Sequence, residues 1–79
     1  MIAKILKLDK KLFDGEAREV VLPAVEGEMC LLPNHISSVV MLKKGEIKVF
    51  KPTGEYPAVF EISGGVCSFF DNKAVFIVS

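Results

Sequence analysis

The chain has 79 residues, 51% of them hydrophobic and 25% charged, and its ten basic and ten acidic side chains cancel to a formal charge of zero. One domain spanning 1–79 is expected, with a thin core, because a chain of this size buries only about 60% of its unfolded surface. The balance excludes the net basic face on which nucleic-acid binding usually rests, and no apolar run reaches the roughly 18–20 residues that a membrane-crossing helix needs.

The opening stretch, Ile2–Leu8, reads as a strand. The start as a whole, Met1–Phe13, is interrupted by Lys4, Lys7, Asp9, Lys10 and Lys11, so it is neither a signal peptide nor a membrane anchor. Asp14-Gly15 is a turn signal, followed by a strand over Ala17–Leu22 in which Val20 and Leu22 alternate with Glu19 and Val21. Glu26-Gly27 and Pro33-Asn34 bracket a strand over Glu28–Leu32. Further strands are expected at Ser38–Lys43, Glu46–Phe50, Ala58–Ile62, Val66–Phe70 and Ala74–Val78. Lys44-Gly45, Pro52-Thr53-Gly54, Gly64-Gly65 and Asp71-Asn72 supply the turns between them. No helical apolar period is sustained, so the chain reads as all-β. Short strands at this spacing imply a flattened β-sandwich or barrel of about eight to ten strands.

Val39-Val40-Met41-Leu42, Val66-Cys67 and Ala74–Val78 are apolar on both faces, more than one wet face per sheet requires. Two readings stay open: core that wraps around, or an exposed apolar contact surface.

Residues that carry chemistry are sparse. Cys30, His35 and the distant Cys67 fall short of the four clustered Cys or His ligands of a structural zinc site, so no metal is expected. Two cysteines are too few for a disulfide framework and read as reduced thiols of a cytosolic compartment. Cys30 and His35 are the only sequence-local thiol and base, yet Cys30 lies in an apolar strand, where a free cysteine commonly behaves as a small buried hydrophobe. Glu26 and Glu28 flank a glycine turn and read as solvated loop acids or partner contacts. Ser63-Gly64-Gly65-Val66 lacks the lysine, spacing and following helix of a phosphate-cradling loop and reads as a bend or bulge between strands. The six phenylalanines have no cationic groove to accompany base stacking and read as core. His35 follows a proline turn, as incidental surface, a loop cap or a contact residue.

The run Glu26-Gly27-Glu28-Met29-Cys30-Leu31-Leu32-Pro33-Asn34-His35 closely resembles the segment Glu-Gly-Glu-apolar-Gly-(Ile/Leu)-(Leu/Tyr)-Pro-Gly-His of the epsilon subunit of bacterial and chloroplast ATP synthases, whose mitochondrial counterpart is the delta subunit. Three more stretches match in the same order. Leu12-Phe13-Asp14-Gly15 is similar to "MFSG" or "LFEG", Lys43–Val49 to "KPGxIRI", and Ile62–Val66 to "LSGGxLEV". The resemblance implies the family's amino-terminal domain, a flattened β-sandwich of about ten short strands. It also implies a non-catalytic subunit of the central rotor, bound to the gamma subunit and resting on the c-ring, peripheral to the cytoplasmic face of a bacterial inner membrane. That subunit helps pass rotation between proton flow and ATP synthesis, with no cofactor, catalytic residue or membrane insertion of its own. Carried over by position, Glu28, Leu32, Pro33, Asn34 and His35 lie against the c-ring and the foot of gamma, and Ser38, Val40 and Leu42 form the gamma-facing strand.

Cys30 and Asn34 stand where the family has glycine, and Ile36-Ser37 where it has Ala-Pro. Asparagine tolerates positive φ, so Asn34 leaves a left-handed turn open at this position. Family members commonly continue into a helical hairpin. With nothing after Ser79, the expectation is a chain without it, which neither binds nucleotide nor inhibits hydrolysis by inserting a helix. The competing readings are a small β-barrel module binding peptide or single-stranded nucleic acid, and a thiol enzyme using Cys30 and His35.

Overall fold

The computed structural model describes residues 1–54 and 56–79, and among them every regular element is a strand. There are nine: β1 (Ile2–Lys7), β2 (Lys10–Glu16), β3 (Glu19–Ala24), β4 (Gly27–Leu31), β5 (Ser38–Leu42), β6 (Gly45–Phe50), β7 (Ala58–Ile62), β8 (Gly65–Phe70) and β9 (Lys73–Val78). They join in one hydrogen-bonded sheet of order β2-β1-β9-β8-β5-β3-β6-β7, with β4 added to β3. The β1–β9 pair is parallel and all others are antiparallel.

The sheet curls into a sandwich because its middle link is narrow. β5 and β3 share a single residue pair, Ala24 with Leu42, flanked by bonds from Val25 N–H to the Met41 carbonyl (2.9 Å) and from Lys43 N–H to the Pro23 carbonyl (2.9 Å). One layer, β2-β1-β9-β8-β5, therefore folds over the other, β4-β3-β6-β7. Between them lies the core: Ile5, Val20, Leu22, Ile47, Val49, Cys67, Phe69 and Phe76 are all fully or almost fully buried. The alternation expected in β3 and β6 holds, since Val20, Leu22, Ile47 and Val49 face inward.

Three expectations are corrected. First, Lys10–Glu16 is a strand, and Asp14-Gly15 lies inside it, opposite Lys4 and Ala3. The reversal is instead at Leu8-Asp9, where Leu8 takes φ 55°. β2 is an edge strand that offers the core only Leu12 and Phe13, so most of it is polar. A register shift between Ile5 and Leu6 leaves Leu12 as the bulged residue. Second, the strand expected over Ala17–Leu22 runs over Glu19–Ala24. Ala17-Arg18 form the corner before it, held by Ala17 N–H to the Met1 carbonyl (2.8 Å) and Arg18 N–H to the Phe50 carbonyl (2.8 Å). Third, Cys30 is exposed, as described below.

Gly65 opens β8 at φ 151°. A β-carbon there would fall on the Ile77 carbonyl oxygen and 2.8 Å from Val78 Cα, so the close β8–β9 approach depends on its absence.

Candidate docking surface

β4 ends on the buried Leu31, and the chain then leaves the core for six residues before β5 returns it. Pro33 fixes the first turn position and Asn34 takes φ 64°, the left-handed conformation that asparagine leaves open. His35 N–H closes the turn onto the Leu32 carbonyl at 3.3 Å. Asn34 N–H donates to Asn72 Oδ1 at 2.8 Å, tying the loop to the β8–β9 turn.

The half-buried His35 ring meets Phe69 edge to face, with centroids 5.8 Å apart. Its Nδ1 lies 2.8 Å from the Ile36 carbonyl. A carbonyl only accepts, so Nδ1 carries the proton, and Nε2 is the nitrogen that serves as acceptor whenever the ring is neutral. Leu32, Pro33 and Asn34 are exposed around it, which brings four of the five loop-contact residues into one small projection. Glu28 is exposed farther back on β4, on the same strand face as Cys30.

The second group lies differently. In β5 the side chains of Ser38, Val40 and Leu42 point inward: Leu42 is 6% exposed, Val40 packs on the core, and the Ser38 hydroxyl is buried without a partner. The outward side chains are Val39 and Met41, 69% and 61% exposed. A contact made through this strand falls to that pair, one position out of phase with the residues carried over by resemblance. Met41 continues a row across four strands, since Met41 pairs with Val66, Val66 with Ile77, and Ile77 with Leu6. Met41 and Ile77 are exposed, and Val66 and Leu6 half-buried, so the row is an apolar stripe on the outside of the sandwich. Both readings of the two-faced apolar strands are therefore realised: Cys67, Ala74 and Phe76 are core, while Val39, Met41 and Ile77 are surface.

Cys30 and His35 have separate partners. The Cys30 thiol donates to Glu19 Oε2 at 3.1 Å, and Glu19 is held in turn by Arg18 at 3.5 Å. The hydrogen bond to that carboxylate, with lesser help from burial and from its charge, raises the thiol's pKa. That is the reverse of what a nucleophilic cysteine needs. Cys67 is pushed up to about 12 by burial. Among the described residues, no three His, Cys, Asp or Glu side chains gather as metal ligands would.

Asn72 and the outward pair Val39 and Met41 are what sequence reasoning missed. Asn72 was visible only as a turn former, and the outward phase of β5 was concealed because both faces of that strand are apolar.

The family model of the ATP synthase delta/epsilon chain β-sandwich domain matches residues 1–79. The ATP synthase epsilon chain of Dichelobacter nodosus is 39% identical over 73 residues, 92% of this chain and 50% of that protein. That of Pelagibacter ubique is 39% identical over 64 residues, 81% and 48% of the two chains. The chain thus spans about half the length of the curated relatives it matches. A chain in the cryo-EM structure of the Euglena gracilis mitochondrial ATP synthase superposes with a TM-score of 0.90 over 99% of this chain and 49% of that one, at 24% identity. At that identity the superposition speaks for the fold alone.

Proposed function

The chain belongs to the ATP synthase delta/epsilon chain β-sandwich family, and from that membership we propose that it is a non-catalytic subunit of the synthase's rotating central stalk, joining the gamma subunit to the c-ring. The observation that carries the proposal is the outward apolar row Leu6–Ile77–Val66–Met41, with Val39 beside it, on a sheet whose inner face already fills the core. A surface of that kind is stable in a rotor when another subunit covers it, and gamma is the subunit assigned to it. The loop Leu32–His35 and Glu28 are assigned to the c-ring and the foot of gamma. There the acid and the Nε2 acceptor receive hydrogen bonds from basic or amide side chains.

Such a subunit does no bond-making. Its contribution is mechanical: a close-packed sandwich has low compressibility, so torque applied at the loop reaches the apolar face without being lost to deformation. The chain would then lie peripheral to the membrane through the complex, on the cytoplasmic face in a bacterium. Family membership favours this reading over a peptide- or nucleic-acid-binding barrel.

Co-expression with a tagged gamma subunit tests it. The chain is expected to co-purify in a one-to-one ratio through high salt, since an apolar contact is not screened. A folded chain that ignores gamma at micromolar concentration contradicts the proposal.

A further inference from the structure

We propose that Asn72, on the turn at the far end of β8 and β9, is the positioning residue that holds the Leu32–Ser37 loop in its docking shape. The inference rests on the reading of that loop as the docking segment. Five observations carry it.

Within Leu32–Ser37 only Pro33 has a restricted φ, so Asn34, His35, Ile36 and Ser37 must be ordered by bonds and packing. The single backbone bond inside the loop, His35 N–H to Leu32 carbonyl, is long at 3.3 Å. The shortest bond the loop backbone makes to another element is Asn34 N–H to Asn72 Oδ1, 2.8 Å, across 38 residues of chain. Asn72 is itself fixed: it takes φ 58° in the turn, and its carbonyl accepts Ile2 N–H at 3.1 Å. The Phe69 ring, three residues before Asn72, supports His35 from the same hairpin. One hairpin thus sets both the backbone of the turn and the ring that follows it, and β1 anchors that hairpin.

The cost of ordering four unrestrained residues is met before docking, which raises affinity without a new contact to the partner. Losing the anchor leaves the chain folded, because Asn72 is exposed and adds nothing to the core.

Asn72→Gly tests this cleanly, since glycine accepts the positive φ and removes only the acceptor. Two readouts are taken on the full chain: amide hydrogen exchange at Asn34 in the free protein, and affinity for the gamma subunit. Asn72→Gly is expected to speed exchange at Asn34 at least tenfold, to leave the melting temperature within a few degrees, and to weaken gamma binding about fivefold. Asn72→Asp, which keeps an acceptor oxygen at the same place, is expected to restore both. Unchanged exchange at Asn34 overturns the clamp, and faster exchange with unchanged affinity overturns its role in docking. A wild-type chain that does not bind gamma removes the docking reading itself, while the exchange measurement still reports on the clamp.

Discussion

Phe13 of β2 and Phe60 of β7 meet edge to face, ring centroids 6.0 Å apart and planes at 64°, although their strands stand at opposite ends of the sheet order. The contact shows how far the sheet curls: its two outermost strands come back together and close the core at the seam. Both rings are only partly buried, so the seam is held by few atoms. Removing Phe60 (Phe60→Ala) is expected to cost about 2 kcal/mol, below the 3–5 kcal/mol typical of a fully buried phenylalanine. A Phe13→Ala, Phe60→Ala double-mutant cycle read by urea unfolding should give a coupling of about 1 kcal/mol.

The close approach of β8 to β9 predicts a sharp contrast between adjacent glycines. Gly65→Ala must displace the Ile77 carbonyl and Val78 from its φ of 151°, and is expected to cost about 3 kcal/mol or to prevent folding. Gly64→Ala meets only the Leu42 carbonyl, at an ordinary 3.5 Å, and is expected to cost under about 1 kcal/mol. Thermal unfolding of the two variants decides between this account and one in which both glycines serve only chain flexibility.

The two faces of β5 separate stability from partner binding. Leu42→Glu buries a carboxylate in the core and is expected to abolish folding. Met41→Glu places the same charge on the outer row and is expected to leave unfolding within about 0.5 kcal/mol of wild type while weakening gamma capture at least tenfold. Equal binding by Met41→Glu and wild type would remove the outer row from the interface.

How much of this was legible in the sequence follows the same division. The alternation in β3 and β6 was readable because Val20, Leu22, Ile47 and Val49 are apolar and their neighbours Glu19, Glu46 and Lys48 are not. β5 offered no such contrast, so its inward and outward sets could not be told apart, and the carried-over set proved to be the inward one. β2 was hidden because an edge strand needs few apolar residues, and Asp14-Gly15 imitates a turn. The turn at Asn34 could be anticipated from asparagine's tolerance of positive φ, whereas its anchor at Asn72 lies 38 residues away and leaves no local signature.

The thiols give a pH prediction. Thiolate is the reactive form, so a raised pKa slows alkylation at a given pH. Cys30, hydrogen-bonded to the Glu19 carboxylate, is expected to react more slowly at pH 8 than a free thiol, and Glu19→Ala to speed it by removing that hydrogen bond together with the charge. Cys67 should resist alkylation until the chain unfolds. Its value rises from an ordinary 9.0 to about 12, so below pH 9 both folded and unfolded states hold the proton and stability is unaffected. Between 9 and about 12 the unfolded state alone releases it, and stability falls as pH rises.

A cryo-EM reconstruction of the assembled synthase containing this chain tests the central claim most directly. The account predicts the chain on the central stalk, with the row from Met41 to Leu6 covered by gamma and the Leu32–His35 loop set against the ring. A chain missing from the stalk, or bound there with that row facing solvent, would contradict it.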